Sequence, residues 1–498
     1  MLLIWFGPLH LLQPLAARGI MSEIGVAEVS VAAPDERVLP RLARIAANPL
    51  LDRPILGTLL RLSAPNVVAL GAGTCVVIAE TSYIGRLGTE ALAAMALVFP
   101  FVMLTLTTSG GAMGGGVSSA ISRALGAGDV GRANLLAAHA LIIACCLAAV
   151  FTFGMLSGGY GLLWLLGGRG NVLAQALGYM HIFFGAALVP WLMNTFASIL
   201  RGTGNMKLPS MVTLGTAGCQ IAFGAILGLG LGPVPRFGMP GIAAGTVLAF
   251  SIGTAIMAWY VLSGRARVNP IAQRLRIERG MFFDILKVGA IACFSPIQSV
   301  LTIAIFTAML ARFGDAVLAG YGIGARLEFM LTTLAFAVGV ASVPMVGMAM
   351  GAGQVVRARR IAWTAGILSF SAVGIIGTVL AFFPDLWVDL FTDDAGVRDA
   401  SRQYLFVAAP MYAFLGLNTS MYFSSQGAAK VLGPVLAQTV RLAFIAFGGW
   451  WLIVRGAPSH AFFVLAALSM IVLGLLCTAT VVWSRWDPAT NAGRQPPA

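Results

Sequence analysis

Beyond residue 55 the chain alternates between long apolar runs and short polar breaks. The runs cover 63–84, 91–121, 132–156, 172–200, 206–230 and 239–263, then 282–311, 317–350, 358–383, 399–425, 431–454 and 459–484. Crossing a bilayer takes about 20 residues of helix, so each run predicts one span. The pattern predicts an all-α integral membrane protein with twelve transmembrane helices. Between the sixth and seventh runs lies a basic break, SGRARVNPIAQRLRIERG, at 263–280. It suggests a cytoplasmic N-terminal segment (1–56), an N-lobe (57–263), a linker (264–280), a C-lobe (281–484) and a cytoplasmic tail (485–498). Residues 1–20 are apolar but hold two prolines and no basic start, a poor signal peptide. Met21 opens a plainly polar stretch, so 1–20 read as a start-site extension as readily as part of the chain.

The two sets of six runs resemble each other. RLGTEALAAM at 86–95 matches RFGDAVLAGY at 312–321, GAGDVGRA at 126–133 matches GAGQVVRA at 351–358, and TGNMK at 203–207 matches QGAAK at 426–430. Three matches in order, at nearly one offset, argue for duplication. Six spans per unit put both copies the same way up. Two such bundles around a central cavity form a recurring plan of secondary transporters.

Composition agrees. Hydrophobic residues make up 59% of the 498 and charged residues 10%, against roughly 25% charged in soluble domains. The net charge of +13 would suggest nucleic acid in a soluble protein. Here 22 of the 31 Lys and Arg fall on the side of the N-terminus, 7 on the other, and Arg326 and Arg441 within spans. The excess is topology: both termini are expected in the cytoplasm, and no nucleic-acid partner is implied. The six cysteines lie in apolar stretches and read as small hydrophobes. Metal-ligand spacing is absent. No cofactor is predicted.

The strings YIGRLGTEALAAMALVFPFVMLTL, SRALGAGD at 122–129, ASILRGTGN at 197–205 and GYGIGARLEFMLTTLAFAVGVASVPMVGMAMGAG at 320–353 resemble the multidrug and toxic compound extrusion (MATE) family. The resemblance runs from about Leu56 to Trp483. It implies a two-lobed exporter, driven by protons or sodium, acting as a monomer in a bacterial inner membrane.

Glu80 lies in the first span, six residues before Arg86 and so about 9 Å from the outer end at 1.5 Å per residue. An acid at that depth is costly and marks a functional site. Many MATE proteins carry Asp at this position, which implies a role for Glu80 in proton coupling. They also carry an Asn and, four residues later, an Asp in the fifth span. Here those positions are Gln220 and Gly224, so the second acid is missing and protons are favoured over sodium. The resemblance implies Asn194, Gln220 and Thr246 as polar neighbours, each equally readable as an interhelical hydrogen bond. Gln298 is a further candidate for substrate binding.

In the second half, Arg326 and Glu328 share the eighth span but point to different faces. Glu328 and Arg441 lie at similar depth, which predicts an ion pair, with Arg326 facing the cavity or the interface. Arg326 and Glu328 are candidates for cation or substrate binding, and the Glu328–Arg441 pair reads equally as one that holds the lobe together. The repeat maps Glu80 onto Phe306 and Glu328 onto Val102. His139 and His181 are expected to be satisfied between helices. Phe99, Phe101 and Met103 could offer soft contacts to aromatic cations. Pro65, Pro100, Pro190, Pro296, Pro344 and Pro410 interrupt spans and predict kinks.

GAGDVG at 126–131 fits GxGxxG, but it follows a membrane helix instead of a strand. A helix-capping turn is the better reading. GxxxxGK[ST], HExxH and GxSxG do not occur. The chemistry therefore points to export of small organic cations, not to an enzyme. The rivals are a flippase for lipid-linked saccharides, which would want a more cationic cavity, and a polytopic transferase. The only acidic cluster is Asp385, Asp389, Asp393 and Asp394, which reads as loop decoration.

Overall fold

A computed structural model describes residues 49–486, apart from 273 and 275. The start-site question and most of the N-terminal segment and tail lie outside the described residues. All regular structure within them is helical. Helices α1 (Ile55–Leu87), α2 (Thr89–Gly126), α3 (Val130–Leu165), α5 (Lys207–Leu229) and α6 (Gly238–Leu262) belong to the first repeat. Helices α7 (Arg279–Phe313), α8 (Asp315–Gly351), α9 (Val355–Phe382), α11 (Leu432–Val454) and α12 (Ser459–Trp483) belong to the second. All ten are long and apolar enough to cross a membrane.

The remaining two expected spans are broken, and at matching places. Helix α4 is a pair, Gly170–Gly185 and Leu188–Gly202, bent by 48°; counted together they make an eleventh span. Helix α10 consists of Ala395–Ala408 and Tyr412–Gly427 joined by a 3-10 turn at Ala409–Met411. Its pieces have 14 and 16 residues, too short to cross singly. Pro190 sits in the first turn after its break and Pro410 at the start of the 3-10 turn itself, where a missing N–H costs nothing. Pro296 sits likewise just after the break at Cys293 in α7. Pro65, Pro100 and Pro344 stay inside continuous helices.

The two repeats meet closely where the paired GAG turns lie. A Cβ on Gly126 would fall 2.2 Å from the Met348 carbonyl oxygen, and one on Gly351 would fall 2.0 Å from that of Arg123. Each residue pair is the other shifted by 225 positions, so the contact is pseudo-twofold. Only glycine allows backbones this close. Nearby, Gly116 approaches the backbone of Gly289, and Gly115 faces the side chain of Gln426. Ser119 donates to the Gln426 carbonyl and accepts from Arg123. Asp284 on α7 binds Arg132 of α3 and, at 2.9 Å, Lys287. The bundle is thus sealed between repeats at this end. The GAGD turn itself caps a helix: the Asp129 side chain accepts from Arg132 N at 2.8 Å, and Gly128 supplies a left-handed φ of 78°.

Candidate functional site

Glu80 stands about two turns before the end of α1 and is buried. Helices α5 and α6 bring its partners. Gln220 Nε2 donates to Glu80 Oε1 at 2.8 Å, and the Thr246 hydroxyl lies 3.4 Å from the same oxygen. Thr246 has one hydroxyl proton, and the Ile242 carbonyl at 3.2 Å competes for it. These are uncharged groups. The approach of α5 to α6 is fixed at Gly245, where a Cβ would lie 2.5 Å from Gly224 N. Tyr83 and Tyr179, both buried, lie beside Glu80. Neither tyrosine was picked out in the sequence. The i,i+3 spacing of Glu80 and Tyr83 was the available signal.

Asn194 does not join this group. Its Nδ2 donates to Ser109 Oγ at 2.8 Å, beside a π-helical turn at Thr108–Met113. One extra residue in that turn re-aims the rest of α2, which span length alone does not reveal. Phe99, Phe101 and Met103, on the preceding part of α2, are partly buried.

In the second repeat Arg441 Nη2 lies 4.0 Å from Glu328 Oε1, and Arg441 Nε is 3.4 Å from Ser469 Oγ. Tyr321 and Tyr404 stack edge to face beside them, with Phe306 on one flank and Phe463 on the other. Arg326 points elsewhere: it is exposed and sits 5.4 Å from the Phe391 ring. Gln298 donates to Thr439 at 2.6 Å and so ties α7 to α11.

The histidines part company. His139 Nδ1 donates to the Leu135 carbonyl at 2.7 Å and Nε2 accepts from Glu278 N at 3.1 Å, so it ties α3 to the linker. His181 is exposed, contrary to expectation. The buried face of α4 is made by Tyr179, Met180, Phe183 and Phe184, and position 181 turns away from it. Among the described residues no three His, Cys, Asp or Glu gather as metal ligands.

The MatE family model matches residues 67–226 and again 292–451. The chain belongs to the MATE family. The two matches are offset by the same 225 residues as the GAG turns. This MATE protein is therefore a transporter and not an enzyme. It is 28% identical over 379 residues to an FAD transporter of Shewanella oneidensis, covering 74% of this chain and 81% of the relative. It is 24% identical to a probable multidrug resistance protein NorM of Thermotoga maritima, covering 72% and 77%. Among solved structures, a MOP-superfamily transporter from Pyrococcus furiosus superposes with a TM-score of 0.80 at 20% identity, covering 87% of this chain and 96% of that one. A Vibrio cholerae MATE transporter in its bent form gives 0.79 at 22%, covering 86% and 96%. These likenesses establish the fold.

Proposed function

We propose that this transporter exports small organic cations in exchange for protons, with Glu80 as the coupling acid. The observation that carries this reading is a buried carboxylate held only by uncharged hydrogen-bonding partners, Gln220 and Thr246. No fixed cation neutralises it, so a proton or a cationic substrate can take that role, one at a time. Mutual exclusion of the two at one acid is the logic of antiport. A proton needs one base, whereas sodium wants several oxygen ligands, and the direct partners here add one hydroxyl and an amide N–H. A proton moving inward through 100 mV is worth about 2.3 kcal/mol, enough to drive uphill export.

The orientation follows the charge distribution. With the Arg-rich side and both termini in the cytoplasm, the seam at Gly126 and Gly351 closes the inner end. The membrane is then a bacterial cytoplasmic membrane.

A second reading comes from the Shewanella relative: a flavin dinucleotide as cargo. Anionic cargo would need a free cation. Arg441 is engaged with Glu328, and Arg326 is exposed beside the Phe391 ring.

Inside-out vesicles decide between these. An imposed proton gradient should drive ethidium uptake, and a sodium gradient alone should not. Uptake on sodium alone would overturn the proton assignment. Competition by FAD at micromolar concentration would favour the flavin.

A further inference from the structure

Tyr83 lies one helical turn from Glu80 on the same face of α1. Its side chain is 5% exposed, and its hydroxyl makes no hydrogen bond of regular geometry, although Glu80 is close enough to interact with it. A buried polar group left unpaired is costly and calls for an explanation. Two features supply one. The hydroxyl lies beside the Glu80 carboxylate, one turn away on the same helix. It also rests on bare backbone: a Cβ on Gly224 would fall 2.5 Å from the Tyr83 hydroxyl oxygen and 3.2 Å from its ring carbon Cζ. The glycine leaves the space that the hydroxyl fills.

An ionised carboxylate is an acceptor only. Gln220 already donates to one of its oxygens, and Thr246 shares its single proton with Ile242. The second oxygen has no donor among these two. We propose that Tyr83 is a positioning residue for Glu80. Its hydroxyl is the donor that takes the carboxylate when Glu80 gives up its proton, and Gly224 is the notch that keeps the hydroxyl within reach. This rests on the Glu80 reading above.

The test uses two substitutions that reach the hydroxyl by different routes. Tyr83→Phe deletes it. Gly224→Ala leaves it in place and pushes it aside. Purified protein in proteoliposomes is assayed for ethidium transport against pH. Loss of one donor weakens the ionised form relative to the protonated one, so the pH of half-maximal transport should rise by about 0.5–1 unit in Tyr83→Phe. Gly224→Ala should move it the same way. The double variant should move it no further than Tyr83→Phe, because the hydroxyl that the added methyl displaces is already gone. Gly218→Ala, on the same helix with open space around it, should follow the parent. A Tyr83→Phe profile that superimposes on the parent overturns the proposal. So do shifts from the two single substitutions that add in the double variant. If Gly224→Ala misfolds, Tyr83→Phe alone still decides. Failure of the coupling reading looks different: Glu80→Gln would then transport fully, whatever Tyr83→Phe does.

Discussion

Glu80 in the first repeat is buried and Glu328 in the second is part-buried, and their surroundings are opposite. Glu80 in the first has amide and hydroxyl partners. Its repeat counterpart is Phe306, packed edge to face on Tyr321. Glu328 in the second repeat has a cation, Arg441, at 4.0 Å. Its counterpart, Val102, is a buried aliphatic residue. The difference decides what each acid can do. Glu80 can change charge without stranding a partner. If Glu328 changes charge, Arg441 is left part-buried with only Ser469. Burial alone marks a candidate acid; the charge of its neighbours separates an exchangeable group from a fixed one.

The largest effect that sharpens this contrast is expected for Glu80→Gln. Coupled ethidium export should be lost, while the detergent melting temperature stays at that of the parent, because no charged partner is abandoned. Retained export would remove the coupling role. A large drop in melting temperature would make Glu80 a structural group like Glu328.

Glu328→Gln should show the reverse pattern. Removing one partner of a buried pair costs roughly 3–5 kcal/mol in a soluble interior. The cost is smaller in a bilayer, where the unfolded reference also finds partners. The melting temperature should fall, and adding Arg441→Met should recover part of it. If Glu328→Gln melts like the parent yet fails to transport, Glu328 is a second coupling or substrate-binding acid and the contrast collapses.

A smaller effect is expected at the seam between repeats. Gly351→Ala places a Cβ 2.0 Å from the Arg123 carbonyl, and backbone cannot swing aside as a side chain can. Overpacking of this kind costs about 1–3 kcal/mol. Gly322→Ala, on the same helix with nothing within 4 Å, is the control. Equal melting of the two variants would mean that the seam is looser than the geometry says.

Much of this was legible beforehand. Twelve apolar runs, three repeated strings and the acid in the first span were visible in the chain. The matching breaks in α4 and α10 were marked by Pro190 and Pro410, although the prolines alone did not say that Pro65, Pro100 and Pro344 would stay within continuous helices. Three things were hidden. The π-helical turn at Thr108–Met113 changes which face Asn194 meets, and a register shift leaves no trace in composition. Tyr83 near a membrane surface reads as an interfacial aromatic; only the approach of α5 shows that Gly224 makes room for it. Asp284, which binds Arg132 across the seam and Lys287 on its own helix, is a single polar residue at the start of an apolar run.

The smallest effect is expected at the acidic loop following α9, and it tests the contrast from outside the membrane. Asp385 accepts from Arg402 Nε at 2.7 Å, and Asp389 binds Arg398. Like Glu328, Asp385 has an arginine, but it is solvent-exposed. The hydrogen bond from Arg402 holds its carboxyl below the usual aspartate range. By linkage, any stability from the pair is present above the unfolded-state value and lost as pH falls through the folded one. Water screens the pair, and exposed pairs commonly contribute little. Asp385→Asn should therefore melt like the parent at neutral pH, and the two curves should stay together as the pH is lowered through the carboxylate range. Curves that part, with the parent more stable at neutral pH and the gap closing in acid, would show that this loop contributes to the fold. An arginine partner would then stabilise an acid at the surface as well as in the bilayer, and charge pairing, more than burial, would be what sets Glu328 apart from Glu80.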